Sequence, residues 1–444
     1  MAIKVRRKYA WPESNKLVLM NFENSLSFAR ALDAADPLRS YRDRFHIPQV
    51  NGKDSYYFTG NSLGLQPKSV RGFIEEELKG WETLGVEGHF EGHTKPWAHY
   101  HKFSKEALAK IVGAKPLEVV SMNNLTVNLH LLMASFYQPT ASRYKIICEA
   151  GAFPSDQYMF ETQLKFHGLN PDEALIELTP RGGEHILRTE DILAEIKSTG
   201  DELALVLIGG VQYYTGQFFD LESITTVGHE VGALVGFDLA HAFGNLPLSL
   251  HDWGVDFATW CSYKYLNSGP GNVSGIFVNE RFAHDDSLNR FAGWWGHNES
   301  ERFQMKKGFK PMPGADGWQL SNVNVLSTAA HLASLEIFNE VGMEALRSKS
   351  LKLTGFMEFL VNQLSGEDQI FEIITPSNPE ERGCQLSIFC HKNGKQLFDA
   401  LTKDGVIADW REPNVIRVAP VPLYNTFEDV FHFARLLREH LEKM

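Results

Sequence analysis

The chain has 444 residues and a formal net charge of −12 at pH 7, a length that suggests about two or three domains, each with a buried core. The acidic balance argues against binding to nucleic acid, which needs clustered lysine and arginine. The longest apolar run, 203–211, is too short to span a membrane. Four scattered cysteines show no disulfide or zinc spacing. We therefore expect a soluble, cytoplasmic protein without a bound metal.

Six short apolar segments alternate with amphipathic ones in the first two thirds of the chain. They are residues 118–122, 144–150, 204–210, 234–240, 257–262 and 275–280. Alternation of this kind predicts β-α-β units around a mostly parallel sheet, and apolar residues at consecutive positions predict helices on both faces. We assign this large domain to residues 51–325.

The pattern changes after residue 325. Long helical stretches cover about 326–364, and three short apolar segments and an amphipathic C-terminal helix follow them. This succession predicts a smaller α+β domain over residues 326–444. We expect residues 1–50 to form an N-terminal arm and helical segment that packs on the small domain.

Lys264 lies in the segment WCSYKYLNSGPGN, residues 260–272. It follows an apolar strand directly and stands between Tyr263 and Tyr265, whose rings would exclude water from the amine. Exclusion of water favours the neutral, nucleophilic amine that a Schiff-base lysine requires. The glycines that follow allow the backbone to approach a ligand closely. The alternative is an ordinary surface lysine, which is the commoner situation.

A second polar group stands 26 residues upstream, in GFDLAHAFGN at 236–245. Asp238 ends a predicted strand, and His241 follows one turn later. Ligands bind at the carboxyl edge of parallel sheets, although a carboxylate there is also a common helix N-cap. Together with Lys264, the acid predicts a site for pyridoxal 5′-phosphate, in which an aspartate keeps the ring nitrogen protonated and a lysine carries the aldehyde carbon.

The segment from Phe237 to Gly271 resembles the core of the class-V aminotransferase superfamily of pyridoxal phosphate enzymes, fold type I. Further stretches are similar to the kynureninase family within it: YFTGNSLGLQPK (57–68), NNLTVNLHLLM (123–133), EAGAFPSDQY (149–158), VQYYTGQFFD (211–220), GWWGH (293–297) and IRVAPVPLYNTF (416–427). The likeness runs from about Tyr57 to the last helix. It implies an α/β fold of the PLP-dependent transferase type, with a mostly parallel seven-stranded sheet between helices.

The resemblance also implies a set of residues that bind the cofactor. They are Leu125, Thr126, Phe153, Pro154, Ser155, Asp156, Asp238, His241, Tyr263, Lys264, Trp294 and Asn322. Leu125 and Thr126 would bind the phosphate where a helix begins, because amide donors and the helix dipole favour an anion there. Phe153 would stack on the pyridine ring. The similarity assigns Trp294 and Asn322 to the partner subunit, and it therefore implies a homodimer with active sites at the interface.

The implied reaction is hydrolysis of the Cβ–Cγ bond of L-kynurenine or its 3-hydroxy derivative, a step of tryptophan catabolism and NAD biosynthesis. The resemblance makes Lys264, Tyr263 and Asp238 the catalytic residues, with Tyr263 as proton donor to Cβ. Arg417 would bind the substrate carboxylate, since a guanidinium fork fits a carboxylate.

The resemblance places Ser62, His89 and Asn322 near the aromatic ring of the substrate, and the sequence leaves open whether His89 or His93 lines the pocket. We hypothesise that His89, Ser321 and Asn322 bond a 3-hydroxyl and favour 3-hydroxykynurenine.

Two alternatives stay open at this point. One is another class-V enzyme, such as a cysteine desulfurase or an aminotransferase, but Cys384 and Cys390 flank an apolar strand as structural cysteines do. The other is a metal-dependent hydrolase built on a histidine-rich run, His89, His93, His99 and His101. The spacings of these histidines match no zinc motif.

Overall fold

The structure is a computed structural model that describes residues 21–364 and 370–443. The first 20 residues of the predicted N-terminal arm lie outside this range. The helices described are α1 (Leu26–Ala34), α2 (Val70–Leu84), α3 (Lys105–Val112), α4 (Leu125–Phe136), α5 (Pro154–Phe166), α6 (Pro171–Ala174), α7 (Thr189–Thr199), α8 (Leu221–Glu230), α9 (Val325–Val341), α10 (Met343–Asn362), α11 (Gly394–Lys403) and α12 (Phe427–Leu441).

The strands described in the same ranges are β1 (Gln49–Val50), β2 (Lys53–Asp54), β3 (Tyr56–Tyr57), β4 (Val119–Ser121), β5 (Lys145–Glu149), β6 (Leu175–Leu178), β7 (Leu203–Gly209), β8 (Leu234–Asp238), β9 (Phe257–Trp260), β10 (Gly275–Val278), β11 (Phe371–Ile373), β12 (Leu386–Cys390), β13 (Val406–Ile407), β14 (Asp409–Arg411) and β15 (Val415–Val418).

A seven-stranded sheet in the order β4-β10-β9-β8-β7-β5-β6 forms the centre of the larger part of the molecule. The strands from β9 to β6 run parallel to one another, and β10 is antiparallel to both β9 and β4. This confirms the predicted mostly parallel, seven-stranded sheet. All six predicted strands are present. The seventh, β6, was missed because it is a half-exposed edge strand interrupted by Glu177.

The apolar runs of this sheet are buried because helices cover both of its faces. In β7, six consecutive residues from Leu203 to Ile208 are buried. Their side chains alternate between the two faces, and they therefore contribute to two separate apolar clusters. This arrangement fixes the strand ends, and hence the polar residues at the carboxyl edge of the sheet.

A second, antiparallel sheet has the order β11-β12-β15-β14. It shares an apolar cluster with α10 and α12, to which Ala29 of α1 and Phe58 also contribute. Asp33 of α1 accepts hydrogen bonds from the first two amides of α12, those of Phe427 (2.8 Å) and Glu428 (2.9 Å). Helix α1 thus packs on α12, within the apolar cluster that the smaller sheet shares.

The predicted boundary between residues 325 and 326 stays a prediction. Helix α9 follows it directly, yet Ala329, Leu332 and Leu335 of α9 belong to the same apolar cluster as the large sheet. No helix within 21–364 and 370–443 has both the length and the apolar character that a bilayer crossing requires.

Candidate active site

The structure brings Lys264 and the Asp238 segment together at the carboxyl edge of the large sheet. Strand β8 ends in Asp238 and pairs in parallel with β9, whose chain continues into Lys264. Lys264 is only 9% exposed, and its Nζ lies 3.1 Å from Nε2 of His241. The ammonium of Lys264 also lowers the pKa of Asp238, which places the two charges within electrostatic range. The three groups therefore form one buried cluster.

Two carboxyl groups, Asp156 and Asp238, are hydrogen-bonded to each other in this cluster. Burial and the charge of Asp238 raise the pKa of Asp156 well above its ordinary value. Burial also raises the pKa of Asp238, but the hydrogen bond from Asp156 and the charge of Lys264 oppose this effect. Asp156 therefore holds the proton and donates to Asp238, which is the ionised member of the pair.

His241 is held in its neutral form. Burial is the largest cause, and the positive charges of Lys264, Arg417 and Arg411 add to it, so that the pKa of His241 falls well below its ordinary value. With Lys264 as an ammonium donor, Nε2 of His241 accepts and Nδ1 carries the imidazole proton. Nδ1 is buried and has no hydrogen-bond partner within the chain, so this donor is available to a ligand.

Aromatic rings line the space above the lysine. Nζ of Lys264 lies 5.8 Å from the ring centroid of Phe153 and 5.9 Å from that of Tyr263. Phe153 is 41% exposed, and its ring edge contacts Tyr213 at 5.2 Å between centroids. An exposed aromatic face beside a buried lysine can stack on a planar ligand. Burial raises the pKa of Tyr263, so the phenol keeps its proton at neutral pH.

The segment predicted to bind phosphate begins α4, directly after β4. Asn124 caps the helix, since its side chain accepts from the amide of Val127, and Asn123 before it adopts a left-handed conformation with φ of 47°. Leu125 is buried, and Thr126 is half-buried at the first turn. The free amides of this turn and the dipole of a 12-residue helix favour an anion.

These residues fit pyridoxal phosphate. The ionised Asp238 suits a protonated ring nitrogen, the buried Lys264 amine suits an aldehyde carbon, and the exposed face of Phe153 suits the ring between them. The unpaired Nδ1 of His241 is a buried donor that a polar substituent of the ring can satisfy. Pro154 and Ser155 begin α5 beside Asp156, to which the Ser155 hydroxyl donates at 3.1 Å.

Arg417 is 1% exposed and lies on β15 of the smaller sheet. Its Nη1 donates to the carbonyl oxygen of Tyr213 at 2.7 Å. The ring of Tyr213 contacts Phe153, so the proposed carboxylate-binding residue is connected to the ring-binding region through one residue. Arg417 on the smaller sheet and Lys264 beyond the carboxyl end of β9 both act electrostatically on His241, and they therefore border the same site.

The two candidate histidines have different surroundings in the structure. His93 has a side chain that is 5% exposed, with Nε2 3.4 Å from Glu77. Glu77 is buried and also accepts from Trp97 at 2.7 Å and Tyr100 at 2.6 Å, so His93 is part of a structural cluster. His89 is half-buried, and its ring meets that of Trp97 at 5.3 Å. Of the two histidines, His89 is the one with an accessible ring.

The loop that carries Ser62 packs on the lysine segment. The amide of Gly64 donates to the carbonyl oxygen of Tyr263 at 2.8 Å. A Cβ at Gly64 would lie 2.3 Å from the carbonyl oxygen of Lys264, so only glycine fits there. Ser62 itself is exposed, close in sequence to this contact.

Trp294, Ser321 and Asn322 are exposed in the single chain. The ring of Trp294 contacts Trp295 at 5.5 Å and Phe303 at 5.7 Å. The structure does not join these residues to the lysine cluster through any contact among the described side chains. The role predicted for Trp294 and Asn322 in a partner's active site stays a prediction.

Sequence reasoning missed a third buried carboxyl group, Glu149, at the end of β5. Both of its oxygens accept from the amide of Gly209 at 3.2 Å. Burial is the main cause that raises the pKa of Glu149 to about 7, and the charge of Asp238 adds to it. A cavity of about 250 Å³ lies beside Glu149 and is lined also by Tyr213. The sequence pattern that led to Asp238 is also present here, because Glu149 is the last residue of an apolar strand.

The features required by the alternatives are not found among the described residues. All four cysteines are buried and unpaired. Burial raises the pKa of Cys384 to about 11 and that of Cys390 to about 12, whereas a reactive cysteine needs a lowered value. In the ranges 21–364 and 370–443, no three histidine, cysteine or acidic side chains are gathered as metal ligands.

Comparison with known proteins identifies the family. Residues 346–437 match the family model described as the kynureninase C-terminal domain. The kynureninase of Flavobacterium psychrophilum is 59% identical over 421 residues, which cover 95% of this chain and 99% of the relative. The chain belongs to the kynureninase family. Two further relatives support this assignment. The kynureninase of Koribacter versatilis is 54% identical over 93% of this chain and 97% of the relative, and that of Myxococcus xanthus is 55% identical over 94% of this chain and 98% of the relative.

Similar solved structures confirm the predicted fold type. A cysteine desulfurase from Thermococcus onnurineus NA1 superposes with a TM-score of 0.73 at 17% identity, over 88% of this chain and 95% of that one. The cysteine desulfurase CsdA from Escherichia coli has a TM-score of 0.71 at 16% identity, over 92% and 99%. At such low identity the likeness is one of fold. The kynureninase relatives therefore distinguish this chain from desulfurases that share its architecture.

Proposed function

We propose that the chain hydrolyses the Cβ–Cγ bond of L-kynurenine or 3-hydroxy-L-kynurenine, releasing L-alanine and the corresponding anthranilate, with pyridoxal 5′-phosphate as its cofactor. The observation that carries this proposal is an identity of 54% to 59% with kynureninases over nearly the whole chain. The clustering of Lys264, Asp238 and His241 supports it, since each supplies a group that such a cofactor requires.

When bound, pyridoxal phosphate supplies a conjugated cationic ring that accepts the electron pair released at the reacting carbons. Asp238 would keep the ring nitrogen protonated, and the proton held by Asp156 would keep Asp238 ionised and oriented. Leu125 and Thr126 would bind the phosphate at the first turn of α4. Phe153 would stack on the ring, and His241 would donate through Nδ1.

Lys264 would hold the aldehyde carbon through Nζ between turnovers and would then carry the proton from Cα of the substrate. The neutral His241, 3.1 Å away, accepts a hydrogen bond from the ammonium form of the lysine. Water would add to Cγ and the aromatic acid would depart, so that Cβ needs a proton. Tyr263 would protonate that carbon, because burial keeps its phenol in the protonated form.

Arg417 would bind the α-carboxylate of the substrate, and Ser62, His89 and Asn322 would surround its aromatic ring. The α-carboxylate would then face Arg417 on the smaller sheet, and the α-amine on the same carbon would face Lys264 beyond the carboxyl end of β9. A binding site that is assembled from both sheets can hold these two polar groups in a fixed orientation while the aromatic end of the ligand lies elsewhere in the pocket.

The test combines spectroscopy, labelling and turnover. The purified protein should absorb visible light as a pyridoxal phosphate enzyme does, and borohydride should attach the cofactor permanently to the peptide that contains Lys264. Lys264→Ala should lose both this adduct and kynurenine hydrolysis. A colourless protein, or steady-state turnover by the variant, would overturn the proposal.

Two copies of the chain would complete each other's active sites, with Trp294 and Asn322 facing the partner. The exposed apolar side chains around Trp294, namely Phe90, Phe291, Phe303 and Met305, support such an interface. Mixing inactive Lys264→Ala and Asn322→Ala chains should restore about a quarter of the wild-type sites, because half of randomly paired dimers are mixed and each has one intact site. Absence of any restored activity would argue against shared sites.

We also propose that the enzyme acts in the cytoplasm, since all four cysteines are unpaired thiols. For the ring hydroxyl, we propose that His89, Ser321 and Asn322 favour 3-hydroxykynurenine. A higher kcat/KM for that substrate, reduced selectively in His89→Phe but not in His99→Phe, is the expected result. Equal values for the two substrates in the wild-type protein would end this hypothesis.

A further inference from the structure

Arg417, the residue assigned to the substrate carboxylate, already holds a carboxylate from its own chain. Asp409 on β14 lies directly opposite Arg417 on β15 in the antiparallel register. The Oδ2 atom of Asp409 is in contact with Nη2 of Arg417, while Nη1 is bonded to the carbonyl oxygen of Tyr213. A substrate carboxylate therefore meets an occupied guanidinium.

A second guanidinium shares the same carboxylate oxygen. Arg411 lies two residues after Asp409 on β14, on the same face of the strand, and its Nη2 is 3.1 Å from Oδ2 of Asp409. The positive charges of both arginines lower the pKa of His241, so both guanidinium groups lie within electrostatic range of the active site. The cluster of Arg411, Arg417 and Asp409 thus carries two positive charges and one negative charge.

Both arginines also retain an unused donor. The Nε atoms of Arg411 and Arg417 are buried without a hydrogen-bond partner. A buried donor without an acceptor is unfavourable, and a further carboxylate would satisfy it. The cluster therefore lacks one negative charge and at least one acceptor, both of which an incoming carboxylate provides.

We propose that Asp409 is the resident counter-ion of Arg417, that the substrate α-carboxylate displaces it, and that Arg411 keeps the displaced Asp409 paired. The proposal rests on the role of Arg417 given above. Because Asp409 already bonds Arg411, the exchange leaves no buried charge unpaired before or after binding. Two arginines and two carboxylates then form a neutral cluster, and a ligand without a carboxylate cannot complete the exchange.

A simple positioning role for Asp409 predicts the opposite result. If Asp409 only oriented Arg417, removing its charge would loosen the guanidinium and weaken substrate binding. If Asp409 competes with the substrate, removing its charge strengthens binding. Asp409→Asn keeps the shape and one acceptor oxygen, so it separates the two roles. Arg411→Gln removes the alternative partner of Asp409 and should weaken binding.

The experiment measures the affinity of the holoenzyme for L-alanine and for L-alaninamide, which lacks the carboxylate, from changes in the visible absorption of the cofactor. Asp409→Asn should bind L-alanine about fivefold more tightly, and Arg411→Gln about fivefold more weakly, since about 1 kcal/mol is a reasonable size for one exchanged ion pair. L-Alaninamide should bind equally to all forms. Glu372→Gln, on β11 of the same sheet, is the matched control with no expected change.

Weaker binding of L-alanine by Asp409→Asn, or an equal change for L-alaninamide, would overturn the exchange. The KM for kynurenine should follow the affinity for L-alanine and change by a larger factor than kcat. Failure of the proposed function can be told apart from failure of the exchange. Even if the wild-type holoenzyme does not hydrolyse kynurenine, its affinities for L-alanine and L-alaninamide can still be measured. Normal wild-type turnover together with weaker L-alanine binding by Asp409→Asn would refute the exchange alone.

Discussion

Replacing Glu149 with glutamine should stabilise the protein above neutral pH and leave it nearly unchanged in acid. Burial raises the pKa of this carboxyl group from 4.5 to about 7 in the folded state. Between these values the folded protein binds more protons than the unfolded chain, so its stability falls as pH rises through this window. At about 1.4 kcal/mol per pH unit, ionised Glu149 costs about 3 kcal/mol above pH 7. Glu149→Gln removes this cost and keeps an acceptor for the amide of Gly209.

The assay is thermal unfolding of the wild type and the variant at about pH 5 and about pH 8, at one cofactor concentration, because ligand binding shifts Tm by mass action. For a chain of this length, about 3 kcal/mol corresponds to an increase in Tm of about 3 °C at the higher pH. Glu177→Gln on the adjacent edge strand, where the side chain is exposed, should change little at either pH. The same Tm difference at both pH values would refute the assignment of Glu149 as a carboxyl group that resists ionisation.

Two further predictions concern the packing of the chain. Asp33→Ala should lower the free energy of unfolding by about 2 kcal/mol, because the buried amides of Phe427 and Glu428 lose their acceptor. Unfolding in denaturant measures this change, and an unchanged midpoint would contradict the prediction. Gly64→Ala should reduce kcat/KM at least about tenfold while the protein stays folded, because the new Cβ displaces the backbone at Lys264. Circular dichroism reports whether the variant is folded, and steady-state kinetics report its activity. Wild-type kinetics would contradict the prediction.

The large sheet was predictable because its strands are buried on both faces and therefore read as consecutive apolar residues. The meeting of Asp238 with Lys264 was predictable for the same reason, since both follow the carboxyl ends of strands in one sheet. Strand β6 was not predictable in this way, because an edge strand that is half-exposed has no continuous apolar run. The family resemblance supplied Phe153 and Trp294, which local pattern alone reads as ordinary core or surface residues.

The pairing of Asp409 with Arg417 could not have been predicted from the sequence. The two residues are opposite each other only because of the register between β14 and β15, and a one-residue slip would turn Asp409 to the other face of the sheet. Register in a hairpin depends on the conformation of its turn, which the local sequence specifies weakly. The contributions expected from a partner subunit likewise lie beyond the reach of one chain.

The segment that contains Tyr213 and Tyr214 joins the two sheets at the level of the active site. Its backbone carbonyls accept from Arg417 at 2.7 Å and Ser387 at 2.6 Å on the smaller sheet, and from Gln385 at 2.9 Å directly before β12. The position of Arg417 relative to Lys264 is therefore set by three hydrogen bonds to a single stretch of main chain. Substrate affinity in this enzyme should respond to substitutions at Gln385 and Ser387, neither of which needs to touch the substrate.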